Sequence, residues 1–219
     1  VTFTGATATG IKVLKAAAEN VTFATMELGG KNALIVMSDA DLEVAVDVAI
    51  EGMFYNQGEA CTSTARILVD ETIHDEFLER FTAATEKLVV GDGRDAATDI
   101  GAMVDAKQRD RVLGYLQSAV DEGARIVGQG SIPTEERLKD GFWAAPTVLA
   151  DVTENMRVAK EEIFGPIACV MKFSDIEDAI RITNDTEYGL TAAIVTRNED
   201  QAWKLSRRLR VGMVFVNNY

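Results

Sequence analysis

The chain has 219 residues, of which 47% are hydrophobic, so it can bury a substantial core as one large domain or as one domain plus part of another. Its net charge of −13 repels phosphate backbones and argues against a nucleic-acid partner. No leader and no apolar run of about 18 residues is present, so we expect neither a signal peptide nor membrane binding. One histidine without a Cys or His cluster argues against a bound metal.

Apolar runs of strand length alternate with amphipathic helices along the chain. The continuous run 33–37 predicts a strand covered on both faces, and a capping box at 38–41 predicts the helix after it. Further strands are predicted at 65–69, 125–128, 147–149, 167–173, 191–195 and 212–216. Helices are predicted at 73–88, 105–122 and 199–209, and another capped helix is predicted to begin at 174. The helix at 105–122 should bury Val112, Leu116, Ala119 and Val120. This alternation predicts an α/β domain with a mostly parallel sheet flanked by helices.

The chain contains two cysteines in unlike settings. Cys169 lies in an apolar run and is interpreted as a small buried hydrophobe. Cys61 lies in a polar, glycine-containing loop, and Glu27 lies in a glycine turn upstream of it. A thiol and a carboxylate of this kind suggest covalent catalysis with a separate base for a water step, although any single cysteine can also be a space-filling residue. Two unpaired cysteines indicate a reducing, cytoplasmic setting.

Four short segments carry a further signal. They are Phe-Thr-Gly-Ala-Thr at 3–7, Met-Glu-Leu-Gly-Gly-Lys-Asn at 26–32, Asn-Gln-Gly-Glu-Ala-Cys at 56–61 and Glu-Glu-Ile-Phe-Gly-Pro at 161–166. With Phe-Val-Asn-Asn-Tyr at 215–219, they resemble the motifs of the aldehyde dehydrogenase superfamily in their order along the chain. The resemblance implies a partial chain, with residues 1–28 as a remnant of the NAD(P)-binding domain and 29–219 as the thiol-bearing catalytic domain.

The resemblance also implies a reaction, the oxidation of a small-molecule aldehyde to a carboxylic acid with NAD or NADP. Cys61 would be the nucleophile that forms a thiohemiacetal and then a thioester, and its backbone N–H would supply half of an oxyanion hole. Glu27 would be the base that activates the hydrolytic water. A surface carboxylate is the alternative for Glu27, because Glu side chains are seldom buried.

Five residues would bind the cofactor in this interpretation. Gly5 and Ala6 precede a helix whose N-terminus would bind the pyrophosphate. Alanine at position 6 replaces a serine common in the family, which leaves the choice between NAD and NADP open. The Leu28 carbonyl would lie near the nicotinamide amide, Glu162 would bind the nicotinamide ribose, and Phe164 would pack beside the nicotinamide.

Four polar residues near these motifs receive weaker interpretations. Glu161 is expected to be exposed, and Glu59 to be solvated rather than directed at the thiol. Asn217 matches a late family asparagine near the site. His74 is expected to be a solvated helix residue.

Alternatives remain open at this point. The acyl group could pass to CoA or phosphate instead of water, although Glu27 favours hydrolysis. A cysteine hydrolase would need His74 to activate Cys61, and a non-catalytic interaction domain would not need either residue. We expect the full-length protein to be a homo-oligomer, a dimer or tetramer, and this chain alone to fold without oxidising aldehydes.

Overall fold

The computed structural model describes residues 1–219 and arranges them in two separate sheets. The strands are β1 (Thr2–Thr4), β2 (Thr25–Glu27), β3 (Ala33–Val36), β4 (Arg66–Asp70), β5 (Arg125–Gln129), β6 (Thr147–Ala150), β7 (Ile167–Phe173), β8 (Thr191–Val195) and β9 (Met213–Val216). The helices are α1 (Thr7–Glu19), α2 (Leu42–Phe54), α3 (His74–Thr85), α4 (Ala106–Asp121), α5 (Arg157–Lys160), α6 (Ile176–Asn184) and α7 (Glu199–Ser206). Short 3-10 turns occupy 55–58 and 136–138.

The larger sheet contains seven strands in the order β5-β6-β7-β4-β3-β8-β9. Every neighbouring pair is parallel except β5 and β6, which pair antiparallel at one edge. The helices that connect parallel strands cover both faces, as expected for such a sheet. The predicted α/β fold with a mostly parallel sheet is confirmed.

The central strand β3 explains why its sequence is uniformly apolar. Ala33 and Ile35 contribute to the core on one face of the sheet, whereas Leu34 and Val36 contribute to the core beneath α2 and α3 on the other. Successive side chains of a strand point to opposite faces, so a strand with two cores needs an apolar residue at every position.

Two local predictions were wrong. The N-cap of α2 is Asp41, whose side chain accepts a hydrogen bond from the Glu43 N–H at 3.1 Å, so the cap lies at the end of the predicted box rather than at Ser38. Helix α4 buries Val112, Tyr115 and Ala119, whereas Val120 is 44% exposed. One residue beyond Ala119 is a rotation of about 100°, which turns Val120 away from the core.

The smaller sheet consists of β1 and β2 in parallel, connected by α1. Within α1, Gly10 and Ala17 are buried, whereas Val21 and Phe23 in the following loop are 93% and 84% exposed. The predicted domain boundary after residue 28 falls in the segment that joins the two sheets. The identity of the two parts as coenzyme-binding and catalytic domains stays a prediction.

No helix in the structure combines the length and apolar character needed to cross a membrane. No group of three or more His, Cys, Asp or Glu side chains is arranged to hold a metal ion.

Candidate active site

Several predicted site segments meet at the amino edge of the larger sheet, where its parallel strands begin. Segment 28–32 precedes β3, segment 58–65 precedes β4, segment 161–166 precedes β7 and segment 186–190 precedes β8. Because these four strands are parallel and β7, β4, β3 and β8 are successive neighbours, segments distant in sequence lie side by side.

Asn32 holds the backbone around Cys61. Its buried Nδ2 donates to the Cys61 carbonyl at 2.8 Å and to the Ser63 carbonyl at 3.0 Å, while its Oδ1 accepts from the Thr191 N–H at 3.1 Å. Sequence reasoning missed this role. The available signal was a polar amide directly before a fully apolar strand, a position where a buried side chain must find partners.

The turn before Cys61 has an uncommon backbone. Asn56, Gln57 and Gly58 have φ values of 49°, 48° and 72°, all in the left-handed region. A Cβ on Gly58 would lie 2.5 Å from the Gly165 carbonyl oxygen, so glycine is required for the close approach as well as for its φ. The cysteine loop and segment 161–166 therefore pack directly on each other.

Gly29 and Gly30 lie between the Glu162 carboxylate and the Cys61 loop. The Gly30 N–H donates to Glu162 Oε1 at 3.1 Å. A Cβ on Gly29 would lie 2.3 Å from Glu162 Oε2, and a Cβ on Gly30 would lie 2.5 Å from the Cys61 carbonyl oxygen. A side chain at position 30 would clash with the Cys61 backbone, whereas one at position 29 would displace the Glu162 carboxylate.

The two adjacent glutamates have opposite electrostatic environments. Burial raises the pKa of Glu162, against a smaller opposing effect of the Gly30 N–H. Glu161 is exposed, accepts from Arg157 at 3.0 Å and from the Tyr115 hydroxyl at 2.7 Å, and the Arg157 bond lowers its pKa. The predicted exposure of Glu161 is seen in the structure.

Two buried cations lie behind this edge of the sheet, and neither was singled out from the sequence. The Lys31 ammonium has no hydrogen-bond partner, and burial lowers the pKa of Lys31 to about 8. The Arg66 guanidinium donates to three carbonyl oxygens, those of Lys31, Ile182 and Thr183, and burial lowers the pKa of Arg66 to about 10.

Glu27 lies at the end of β2 beside an open cleft. Its side chain is exposed and makes no hydrogen bond or ion pair, and its backbone carbonyl accepts from the Gly5 N–H at 3.0 Å. The cleft has a volume of about 340 Å³. It is lined by Thr7, Met26, Glu27, Leu28, Gly29, Glu187, Tyr188, Gly189 and Leu190. The lining comes from the two-stranded sheet with α1 and from the segments that precede β3 and β8, so Glu27 faces the junction between the two sheets.

The first turn of α1 has features that suit a phosphate group. Gly5 and Ala6 are exposed, the Ala6 side chain does not cap the helix, and no acidic residue lies in the first turn. The helix packs closely on the next motif, because a Cβ on Gly10 would lie 2.6 Å from the Leu28 side chain. An exposed helix N-terminus without competing carboxylates fits an anionic cofactor.

Phe164 and Asn217 lie at opposite edges of the sheet. Phe164 has a φ of 61°, is half-buried, and its carbonyl accepts from Gln108 Nε2 at 2.6 Å, which fixes it beside Glu162. Asn217 follows β9 at the carboxyl edge, where its side chain bonds to the backbone N–H and carbonyl of Thr196 at 3.0 Å each. These bonds occupy the Asn217 amide at the carboxyl edge, and the proximity of Asn217 to the thiol stays a prediction.

His74 and Glu59 also differ from expectation. His74 is 5% exposed rather than solvated, and it follows β4, whereas Cys61 precedes β4. The strand therefore separates the imidazole from the thiol, which removes the geometric basis of a cysteine hydrolase. One Glu59 carboxylate oxygen accepts from Gln57 Nε2 at 3.2 Å and the other is buried without a partner, so Glu59 is not solvated.

The remaining cysteine matches its prediction. Cys169 is fully buried, and burial raises the pKa of its thiol. Cys61 is half-buried and is the more accessible of the two free thiols.

The fold and site define a class of α/β protein with a thiol loop, a glycine pair and a carboxylate at the amino edge of a parallel sheet. The model of the aldehyde dehydrogenase family matches residues 1–219, and the chain belongs to that family.

Individual relatives agree with this assignment. The chain is 45% identical over 219 residues to an aldehyde dehydrogenase of Didymella fabae, with 100% of this chain and 44% of that protein covered. It is 46% identical over 220 residues to retinaldehyde dehydrogenase 3 of Mus musculus, with 100% and 42% covered. The structure of betaine aldehyde dehydrogenase from Staphylococcus aureus in complex with NAD+ superposes with a TM-score of 0.96 at 37% identity, with 100% and 43% covered. The chain thus spans less than half the length of these relatives.

Proposed function

We propose that the protein containing this chain oxidises an aldehyde to a carboxylic acid with NAD or NADP. The observation that carries the proposal is the meeting of the Cys61 loop and the Glu162 carboxylate on either side of Gly29 and Gly30. Family membership and the names of the relatives support the same activity.

Cys61 has the environment of an accessible nucleophile on a fixed backbone. Its thiolate would add to the aldehyde carbon to give a thiohemiacetal, with the negative oxygen stabilised by the Cys61 N–H. Collapse of that oxygen would expel the aldehyde hydrogen as a hydride and leave a thioester on Sγ. The Asn32 bonds would hold the Cys61 peptide still during this change.

Glu27 would act in the second half of the reaction. Its carboxylate, free of ion pairs in an open cleft, would take a proton from water as the water oxygen attacks the thioester. The carbon–sulfur bond would then break to release the acid and restore the thiol. The alternative acceptors, CoA and phosphate, would not need this base.

The cofactor supplies a nicotinamide ring that accepts the hydride when it is bound. The N–H groups of the first turn of α1, after Gly5 and Ala6, would hold its pyrophosphate. The Glu162 carboxylate would bind the ribose hydroxyls, and the Leu28 carbonyl and Phe164 ring would flank the nicotinamide. The relative solved with NAD+ supports NAD as a cofactor.

Substitution of Cys61 in the full-length gene product tests the proposal. Cys61→Ala should lower the rate of NAD(P)H formation from an aldehyde panel by about 10³-fold or more, as expected for a nucleophile. Cys169→Ala is the matched control and should retain turnover, because that thiol is buried in the core. More than about a tenth of the original rate in Cys61→Ala would be incompatible with a nucleophile.

Glu27→Gln separates the two half-reactions in the same assay. A burst of NAD(P)H should remain while steady turnover falls by about 10²-fold or more, because the thioester accumulates. Rapid-mixing absorbance measures both phases. If the steady rate is unchanged in water and rises with added CoA or phosphate, the acyl group goes to another acceptor.

A further inference from the structure

Tyr219 contacts the residue next to Cys61. Its hydroxyl lies 2.7 Å from Thr62 Oγ1, in a half-buried hydrogen bond in which either hydroxyl can donate. Burial raises the pKa of Tyr219, so the phenol keeps its proton at neutral pH. The bond joins positions 157 residues apart in sequence. Its location suggests a role in fixing the cysteine loop.

Asn217 explains how Tyr219 reaches this position. Its φ of 53° turns the chain back after β9, and its N–H donates to the Ile194 carbonyl at 2.8 Å. The two side-chain bonds to Thr196 close the same turn. Two residues after this turn the Tyr219 ring packs on Gly52, near the C-terminus of α2. Because α2 ends at the amino edge of the sheet, the phenol meets the cysteine loop there.

Helix α2 is shaped to receive the Tyr219 ring. A Cβ on Gly52 would lie 3.1 Å from Tyr219 Cγ and Cδ2 and 2.7 Å from Thr64 Oγ1, so the ring packs where the helix has no side chain. The Phe215 ring of β9 also packs against the Tyr219 ring, with centroids 6.2 Å apart. The ring is seated between two elements, and its hydroxyl is directed at Thr62.

The cysteine loop is consequently held from two sides. Asn32, at the start of β3, bonds to the Cys61 and Ser63 carbonyls, and Tyr219, after β9, bonds to the Thr62 side chain. Three successive residues are fixed by two residues that are far from them in sequence. We propose that Tyr219 is a positioning residue that acts through Thr62 to hold Cys61 in its reactive orientation. This inference rests on the proposed function of Cys61.

The test is a set of variants of the full-length gene product. Tyr219→Phe removes the hydroxyl and keeps the ring, Thr62→Val removes the other partner, and the double variant removes both. Thr62→Ser preserves the hydroxyl and serves as the rescue. Tyr55→Phe is the matched control, because Tyr55 is a neighbouring tyrosine that is 65% exposed.

A positioning role has a distinctive kinetic result. Tyr219→Phe and Thr62→Val should each lower kcat by about tenfold with little change in KM, since small misplacements of a reacting group cost up to about 10²-fold. The double variant should match either single variant, because both act through one bond. Thr62→Ser and Tyr55→Phe should keep the original kcat. Additive losses, or an unchanged kcat in Tyr219→Phe, would overturn the proposal.

The outcome is separable from that of the proposed function. If the unmodified protein oxidises no aldehyde, the proposed function fails, and the same variants are compared by the rate of Cys61 alkylation with iodoacetamide. Labelling of Cys61 is read by mass spectrometry of its own peptide, which separates it from the buried Cys169 and from any cysteine outside this chain. Positioning is supported if Cys61 alkylation is slower in both single variants than in the unmodified protein and the double variant is no slower than either single variant. Equal rates in all variants contradict it.

Discussion

The two sheets of the molecule differ in how they are stabilised. The seven-stranded sheet buries apolar residues on both faces, and strands β3, β6 and β8 are buried along their whole length. The two-stranded sheet has no comparable core, and large apolar side chains in and after α1 are exposed. A chain that buries its apolar residues this unevenly has one self-sufficient unit and one that gains little from its own packing.

The residues proposed for catalysis and cofactor binding are also divided between the two sheets. Cys61, Asn32 and Glu162 belong to the larger unit, which fixes their positions through many contacts. Glu27, Gly5 and Ala6 belong to the smaller unit. The proposed nucleophile is therefore firmly held, whereas the proposed base and pyrophosphate site depend on a unit with little packing of its own.

The largest expected effect concerns the chain by itself. We expect the 219-residue chain to fold and to show no aldehyde oxidation, because the small unit offers only part of a cofactor surface. The family resemblance implies that the other half of the oxyanion hole is an asparagine side chain in a segment not included in these 219 residues, and loss of one such donor alone typically costs about 10²–10³ in rate. Calorimetric titration with NAD measures cofactor binding, and a turnover assay measures aldehyde oxidation. Tight binding with turnover would identify a complete, shortened enzyme.

A pair of core and surface substitutions measures the difference in packing. Leu68 is fully buried, so Leu68→Ala should lower the free energy of unfolding by about 2–5 kcal/mol. Phe23 is 84% exposed, so Phe23→Ala should change it by less than about 0.5 kcal/mol. Urea denaturation of both variants checks this. Similar losses in the two variants would show that the smaller unit has a core of its own.

The smallest expected effect comes from two adjacent carboxylates. Burial raises the pKa of Glu162, so its charge destabilises the fold above that pKa. Glu162→Gln should therefore stabilise the protein at neutral pH, and the gain should disappear as the pH falls through the raised pKa.

Glu161→Gln is the matched control, and we expect it to change the free energy of unfolding in the opposite direction. The Arg157 bond lowers the pKa of Glu161, so this variant should lose stability at neutral pH, by less than about 1 kcal/mol for an exposed pair. The loss should disappear as the pH falls through the lowered pKa. Urea denaturation from about pH 7 to well below the usual Glu pKa of about 4.3 tests both variants. Changes of the same sign would contradict the assigned environments.

The sequence predicted much of the fold because its signals are local. The apolar run at 33–37 and the alternation of strands and helices follow from periodicity, and both match the structure. The exposure of Val120 and the burial of His74 were missed, because each depends on which neighbours pack against the helix. Burial at helix margins is decided by tertiary contacts.

The residues of the candidate site that belong to motifs were proposed from the sequence, whereas the residues that support those motifs were missed. Cys61 and Glu162 were proposed from motifs, and the structure brings their segments together. Asn32 and Tyr219 act on the Cys61 loop across 29 and 157 residues of sequence. Such long-range bonds have no local pattern that marks them.

The position of the site at the amino edge has an electrostatic consequence. Ligands of open α/β sheets usually bind outside the carboxyl ends of the strands, near the positive ends of helices. Here α2 and α6 run back to the amino edge and bring the negative ends of their dipoles there. Arg66 donates to the Ile182 and Thr183 carbonyls in the last turn of α6, and the Lys31 cation lies behind the same edge. These internal cations would offset part of that negative potential, which would otherwise oppose the thiolate and the oxyanion of the proposed reaction.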